Sequence, residues 1–413
     1  MDLFSKFDTD GGYFGPFRLR KDKYFTRPVL DPLPGPQMTF EGKPVIQWSI
    51  NNYMGLAENE EIKAAAVEAV KTYGTSAPMG SRMMTGNTER HQELERRLAD
   101  FKGKEAAIVF NSGFLGVTGT IQALADPDDI VLMDKMSHAS MIDGTLLSRG
   151  QYRVFKHNDM DNLEYHLKSI NKNGRKGGVL IITEGVFGME GDLGDLPAVC
   201  DLKDKYNARL FVDDAHGFGV MGEGGQGTAF HFGVQDRVDV LFGTFSKAFA
   251  AIGGVTASSR KLVDWIQFNA RTQIFTKSLP MVYVEVIMKT LELIRDDREG
   301  RRRKMWENAA RLKDGLRALG YTVGNSQAPI TPVYVPAGDI PTGESIVRGL
   351  RDQGIFITGL IHPVVPRGIL LFRMIPTASH TDEQIQVTLD AFKKVRDDLK
   401  LKLDPPAILR RKS

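Results

Sequence analysis

The chain has 413 residues, 42% hydrophobic and 25% charged; this is the balance of a soluble globular protein too long for one ordinary core, so two domains or one large domain with an appendage are expected. A net charge of +3 over scattered basic residues excludes nucleic acid as an implied partner, and the single cysteine, Cys200, excludes a disulfide framework and fits a reducing cytosol. No stretch approaches the roughly 20 apolar residues that span a bilayer, and residues 1–26 lack a signal peptide's basic start and apolar run, so a cytoplasmic protein is expected, meeting any lipid by pocket or surface contact.

Residues 1–31 carry Phe4, Phe7, Tyr13, Phe14, Phe17, Tyr24 and Phe25, more aromatic surface than suits a free tail, and are expected to pack as an arm on the body or on a second subunit. Arg18, Arg20, Lys21, Lys23 and Arg27 read as a solvated basic surface, with contact to an acidic carrier or phosphate as the alternative. Pro28, Pro32, Pro34 and Pro36 make a stiff connector, and a turn at Glu41-Gly42-Lys43 predicts a hairpin over 39–50. Ile62, Ala66, Ala69, Val70 and Tyr73 recur at helical spacing over 58–73, and Gly74 supplies the stop.

From there apolar runs at 106–110, 130–133, 152–155, 179–183, 209–212, 238–242 and 254–257 alternate with helical stretches. Strands alternating with helices argue for a mainly parallel sheet covered on both faces. Helices are expected over 262–271 and 282–295, with a break at 276–280, and the basic run 301–304 opens another helix as its solvated face. Strands at 331–335, 356–358 and 369–373 with helices at 342–353 and 381–399 predict a compact C-terminal α+β domain. The expected division is an arm and hairpin (1–57), a large domain (58–297), a small domain (298–404) and a loose tail (405–413).

Two stretches carry chemistry. In Gly243-Thr244-Phe245-Ser246-Lys247 a lysine follows an apolar strand, between small hydroxyl residues and the later pair Gly253-Gly254. Burial lowers a lysine's pKa and supplies the neutral amine that attacks carbonyls, while hydroxyls and glycines suit a phosphate. By pattern alone Lys247 also fits a strand-end lysine reaching to water. The second stretch, Phe211-Val212-Asp213-Asp214-Ala215-His216-Gly217, decides between them: it ends another strand in carboxylates and a histidine, where open α/β sheets bind ligands. A pyridinium nitrogen needs such an anionic partner. A metal is the alternative, though no other His or Cys stands at ligand spacing. Ser112-Gly113-Phe114 ends a strand and opens a helix whose first N–H groups suit a phosphate. Gly222-Glu223-Gly224-Gly225-Gln226-Gly227 matches a dinucleotide glycine pattern but lacks a strand directly before it and a helix signal after it, and is read as a loop.

With Asn51-Asn52-Tyr53-Met54-Gly55-Leu56, Gly80-Ser81-Arg82, Gly86-Asn87, His138-Ala139-Ser140, Glu184-Gly185-Val186-Phe187-Gly188-Met189 and Arg373 in the same order, the chain resembles the fold-type I pyridoxal-phosphate enzymes from about residue 51 to 381, and within them the α-oxoamine synthases. Gly-Thr-Phe-Ser-Lys and Lys156-His157-Asn158-Asp159-Met160 look most like the serine palmitoyltransferase branch. The resemblance implies an α/β fold with a mainly parallel seven-stranded sheet sandwiched by helices, a smaller α+β C-terminal domain and an N-terminal arm. It implies that pyridoxal 5'-phosphate is held by Lys247, that Asp213 faces the ring nitrogen, that His138 stacks on the ring and that His216 bonds its phenolic oxygen; without the motif, either histidine fits a hydrogen-bonded core residue. Ser112, Gly113, Phe114, Thr244 and Ser246 would hold the phosphate, with Thr276 from a partner subunit in a homodimer. Asn51 and Arg373 would take the amino-acid carboxylate, although Arg373 also fits a plain ion pair.

The implied reaction joins a small amino acid to a long-chain acyl thioester of coenzyme A or acyl carrier protein, with loss of carbon dioxide, giving a 3-keto lipid base. Two departures bear on the amino acid: Gly188 stands where many relatives have serine, and Arg367 in 361–367 offers a cation for a second anionic group. They bring cysteate, as in sulfonolipid synthesis, beside serine. A short-chain α-oxoamine synthase, such as glycine C-acetyltransferase or 8-amino-7-oxononanoate synthase, a plain aminotransferase and a cofactor-free structural homologue stay open.

Overall fold

The structure, a computed structural model, describes residues 2–9, 11–12, 27–172, 174, 176–362 and 364–406. Most of the arm's aromatic and basic residues, from Tyr13 to Phe25, and the end of the tail lie outside the described residues. Leu3–Asp8 forms a short 3-10 helix whose Phe4 and Phe7 are exposed and stack on one another, centroids 5.4 Å apart.

In chain order the strands are the hairpin β1 (Gln37–Phe40) and β2 (Lys43–Gln47), then β3 (Ala106–Phe110), β4 (Ile130–Asp134), β5 (Gln151–Phe155), β6 (Val179–Glu184), β7 (Arg209–Asp213), β8 (Val240–Thr244) and β9 (Gly254–Ser258), and last β10 (Thr331–Tyr334), β11 (Ile355–Phe356), β12 (Gly359–Leu360) and β13 (Leu371–Met374). The chain divides into two compact units, one of residues 1–50, 189–191 and 303–413, the other of 51–188 and 192–302.

The larger unit is built on a seven-stranded sheet of order β3-β9-β8-β7-β6-β4-β5. Its pairs are parallel except those of β9, which runs antiparallel to both β3 and β8. The unbroken apolar runs follow from helices on both faces, since a strand inside the sheet then alternates between two buried sides. Ile130, Leu132, Ile181, Leu210 and Val212 pack on one side with Leu163, Leu167 and Cys200. Val131, Met133, Leu180, Ile182 and Phe211 pack on the other with Val117, Ile121 and Met141. The edge strand β5 is mostly exposed. The run expected at 238–242 pairs two residues later, because Asp239 turns its side chain to the Arg209 guanidinium and the Leu210 N–H, and the ladder with β9 continues to Thr244.

The smaller unit gathers the hairpin with the C-terminal segments. Strand β11 adds in parallel to β2, and β10, β13 and β12 form a second, antiparallel sheet. One strand was expected at 356–358; two short ones form instead, because Thr358 N–H leaves the ladder to donate to Ser49 Oγ at 3.1 Å. Trp48 anchors this core, fully buried, donating to Thr388 Oγ1 at 3.0 Å and stacked on His380 at 3.9 Å. Among the described residues no helix is long and apolar enough to cross a membrane.

Candidate active site

The carboxyl ends of β6, β7 and β8 bring together acids, a lysine and a helix start. Asp213 closes β7 and is the register partner of Glu184, which closes β6; both carboxylates are buried. Burial pushes both carboxyls up, Glu184 well above the ordinary range, where the neighbouring Asp213 charge raises it further. Lys247 opposes this, its ammonium stabilising both carboxylates. It also acts on His138, whose imidazole is held below its usual range chiefly by desolvation, against the pull of Asp213. Lys247, Asp213, Glu184 and His138 are thus one electrostatic cluster.

Each member is positioned by local structure. Lys247 is half-buried in the loop between antiparallel β8 and β9, where Ala250 N–H donates to its carbonyl at 3.0 Å. The loop closes through Phe245 N–H to Gly253 O at 3.0 Å and passes Ala250 at φ 50, a left-handed conformation in a residue with a Cβ. His138 caps the helix Ala139–Ser148, accepting from Ser140 N–H at 3.3 Å, while its own N–H donates to Glu184 Oε1 at 2.9 Å. That helix lies against Gly113–Leu124, with Thr118 Oγ1 donating to Ser140 O at 3.1 Å and Gly144 allowing the close approach. Phe114 meets the His138 ring edge-on at 6.3 Å. His216 is buried, its Nδ1 2.9 Å from the Tyr53 hydroxyl.

The helix Gly113–Leu124 starts with Ser112 in the N-cap position and no side-chain cap, so its first N–H groups face outward at the positive end of the dipole. A Cβ on Gly113 would stand 2.6 Å from Thr244 Oγ1, and Ser246 N–H donates to that same oxygen at 3.3 Å. Glycine therefore leaves a cradle beside two hydroxyls at an uncapped helix end, which fits a phosphate. A buried carboxylate for a ring nitrogen and a lysine within electrostatic reach complete the donor set for pyridoxal phosphate. The Thr276 hydroxyl donates to Thr272 O within its own chain. Asn51 begins the larger unit, its carbonyl accepting from Tyr53 N–H at 2.9 Å. Arg373, on β13 opposite Pro332, and Arg367, exposed in a turn, belong to the smaller unit.

Some site residues were not foreseen. Glu184 carried no role from sequence, although an apolar strand ending in an acid beside another such strand was a usable signal. Tyr53 was seen only inside a motif. Asp214, adjacent to Asp213, accepts from Thr228 N–H at 2.7 Å and Thr228 Oγ1 at 2.6 Å. The glycine-rich stretch 222–227 is a loop as expected, followed by a one-turn helix, Thr228–His231, which the sequence did not signal and which Asp214 anchors.

The aminotransferase class I and II family matches residues 43–392. The chain is 43% identical to a cysteate-C-fatty acyltransferase of Capnocytophaga ochracea over 96% of this chain and 95% of that one. It is 40% identical to an 8-amino-7-oxononanoate synthase of Thermoanaerobacter pseudethanolicus, over 90% of this chain and 93% of that one. A solved serine palmitoyltransferase from S. paucimobilis with bound PLP-myriocin aldimine superposes with TM-score 0.89 at 30% identity, covering 97% of this chain and 100% of that one. The Sphingomonas wittichii serine palmitoyltransferase gives 0.90 at 30%, covering 97% and 99%. The chain belongs to the aminotransferase class I and II family, on its α-oxoamine synthase side, and its cofactor is pyridoxal phosphate.

Proposed function

We propose that the protein condenses cysteate, or serine in its place, with a long-chain acyl thioester and releases carbon dioxide, giving a 3-keto lipid base. The observation that carries the reading is that buried Asp213, closing β7, feels the charge of Lys247 in the loop after the neighbouring strand β8, whose last residue Thr244 lies against the uncapped helix start at Gly113. The 43% identity to a cysteate-C-fatty acyltransferase over nearly both chains supports cysteate.

Bound pyridoxal phosphate supplies an electron sink for the bonds at the amino-acid Cα. In this reading Lys247 provides the amine that anchors it and carries protons at Cα. Asp213 keeps the ring nitrogen protonated, His138 lies against the ring, and His216, oriented by Tyr53, bonds the phenolic oxygen. The amides at 112–114 with Thr244 and Ser246 hold the phosphate, joined by Thr276 of a second copy. Asn51 and Arg373 take the carboxylate, and Arg367 the sulfonate, as planar forks suited to such oxyanions. A homodimer in the cytoplasm is part of the proposal, supported by the exposed apolar side chains of Met84, Leu146, Leu147 and Phe275.

The second reading, an 8-amino-7-oxononanoate-type synthase, is favoured by the 40% identity to such an enzyme. The deciding experiment gives holoprotein cysteate, serine, glycine or alanine with short or long acyl thioesters and follows free thiol. Release with cysteate and long chains is expected; release confined to short chains overturns the lipid assignment.

A further inference from the structure

Lys102 is a fully buried lysine that the proposed chemistry does not use. It follows the helix Glu89–Phe101, and its Nζ donates to Gln226 O at 3.1 Å, stands 4.0 Å from Asp214 Oδ2 and lies 4.0 Å from the centre of the Phe218 ring. Asp214 is equally buried and directly follows Asp213, so two adjacent carboxylates lie in the interior with Glu184 beside them. Phe218 in turn stacks on Phe249 at 4.3 Å and packs near Phe245, the two rings that flank Lys247 in its loop.

Neighbouring buried carboxylates cannot all ionise without a compensating cation. Lys247, His138 and Lys102 each draw Asp213 towards its charged form. In the functional reading Lys247 is engaged by the cofactor, and desolvation holds His138 towards neutrality. Lys102 is the one of the three that stays out of the reaction.

We propose that Lys102 is a positioning residue that keeps Asp213 ionised against the cofactor ring by neutralising Asp214 behind it. This rests on the reading that Asp213 faces the ring nitrogen. Burial lowers the Lys102 ammonium to about 8, with Asp214 and Asp213 working against that fall, so the counter-charge is present at neutral pH and fades above it. The groups that set the balance are Asp213, Asp214, Glu184, Lys247, His138 and Lys102 itself.

The test compares wild-type, K102M and K102R holoproteins by the pH dependence of the bound-cofactor absorbance, with the pH profile of kcat beside it. In K102M the acid-side transition of both is expected to move up by about one pH unit, as Asp213 takes a proton more readily. K102R keeps the charge at every accessible pH, so it should retain the acid-side transition and lose any alkaline one near 8. A K102M that loads the cofactor with both profiles superimposed on wild type overturns the role of Lys102. Where K102M does not fold, K102Q and K102R decide by the same two readouts. Wild-type protein that takes up no pyridoxal phosphate overturns the functional reading instead, so the two failures are separable.

Discussion

Position 188 is a glycine because His216 occupies the space a side chain would need: a Cβ there would run into Nε2 of the imidazole. His216 is held from its other nitrogen by Tyr53, so it has little freedom to retreat. G188S is therefore expected to push the imidazole off Tyr53, shift the bound-cofactor absorbance and raise the amino-acid KM roughly tenfold, about 1.4 kcal/mol of lost binding. A spectrum and steady-state kinetics check it; an unchanged spectrum would count against the contact. For Lys247 the expected loss is larger. K247A should lose at least roughly 1,000-fold in rate, the scale of a removed general base, together with the borohydride-fixed attachment of the cofactor. Retained turnover with no fixed attachment would remove Lys247 from the chemistry.

At the scale of single elements, the start of Gly113–Leu124 and the clamp around His157 make opposite demands on charge. The helix start needs an anion and space. G113A fills the space with a methyl 2.6 Å from Thr244 Oγ1, and is expected to weaken cofactor binding at least about tenfold in a spectroscopic titration. His157 instead is itself the cation. Its Nδ1 lies 3.0 Å from Asp134 Oδ1 at the end of β4, and its Nε2 2.8 Å from Asp192 Oδ2 beyond β6. Burial opposes the charge, but hydrogen bonds to Asp134 and Asp192 win and raise the imidazole to about 10. A group raised on folding stabilises fully below its unfolded value, about 6.5, and the gain disappears as pH climbs through about 10. H157Q should therefore lower Tm most at pH 6, by roughly 2–6 °C, and hardly at all near pH 10. A pH-independent difference would mean that His157 acts by packing alone.

For the molecule as a whole, cofactor binding is expected to add to the stability of the fold. A ligand that binds only the folded state at 100 times its Kd adds about 2.7 kcal/mol. Stripping pyridoxal phosphate should lower Tm by several degrees, and re-addition should restore it; scanning calorimetry of both forms checks this. Much of the architecture was readable beforehand. The apolar runs of the sheet, the exposed edge strand β5 apart, are continuous because strands buried on both faces have no side turned to water. The direction of β9 was not readable, since an apolar run such as 254–257 looks alike parallel or antiparallel. The break between β11 and β12 depends on Ser49, more than 300 residues away in sequence, and no local pattern carries it.

The sequence by itself determined the seven apolar runs of the larger sheet, the helix that starts at Gly113 and the residue types gathered at strand ends, because periodicity, glycine and proline act over a few neighbours. It also placed Lys247 and Asp213 at those ends. Only the tertiary structure decided that Glu184 is the register partner of Asp213, that Tyr53 orients a histidine 163 residues later, and that Lys102 stands behind Asp214. The physical reason is the same in each case: desolvation and charge pairing depend on what lies within a few ångströms across the fold, and distance along the chain says little about that.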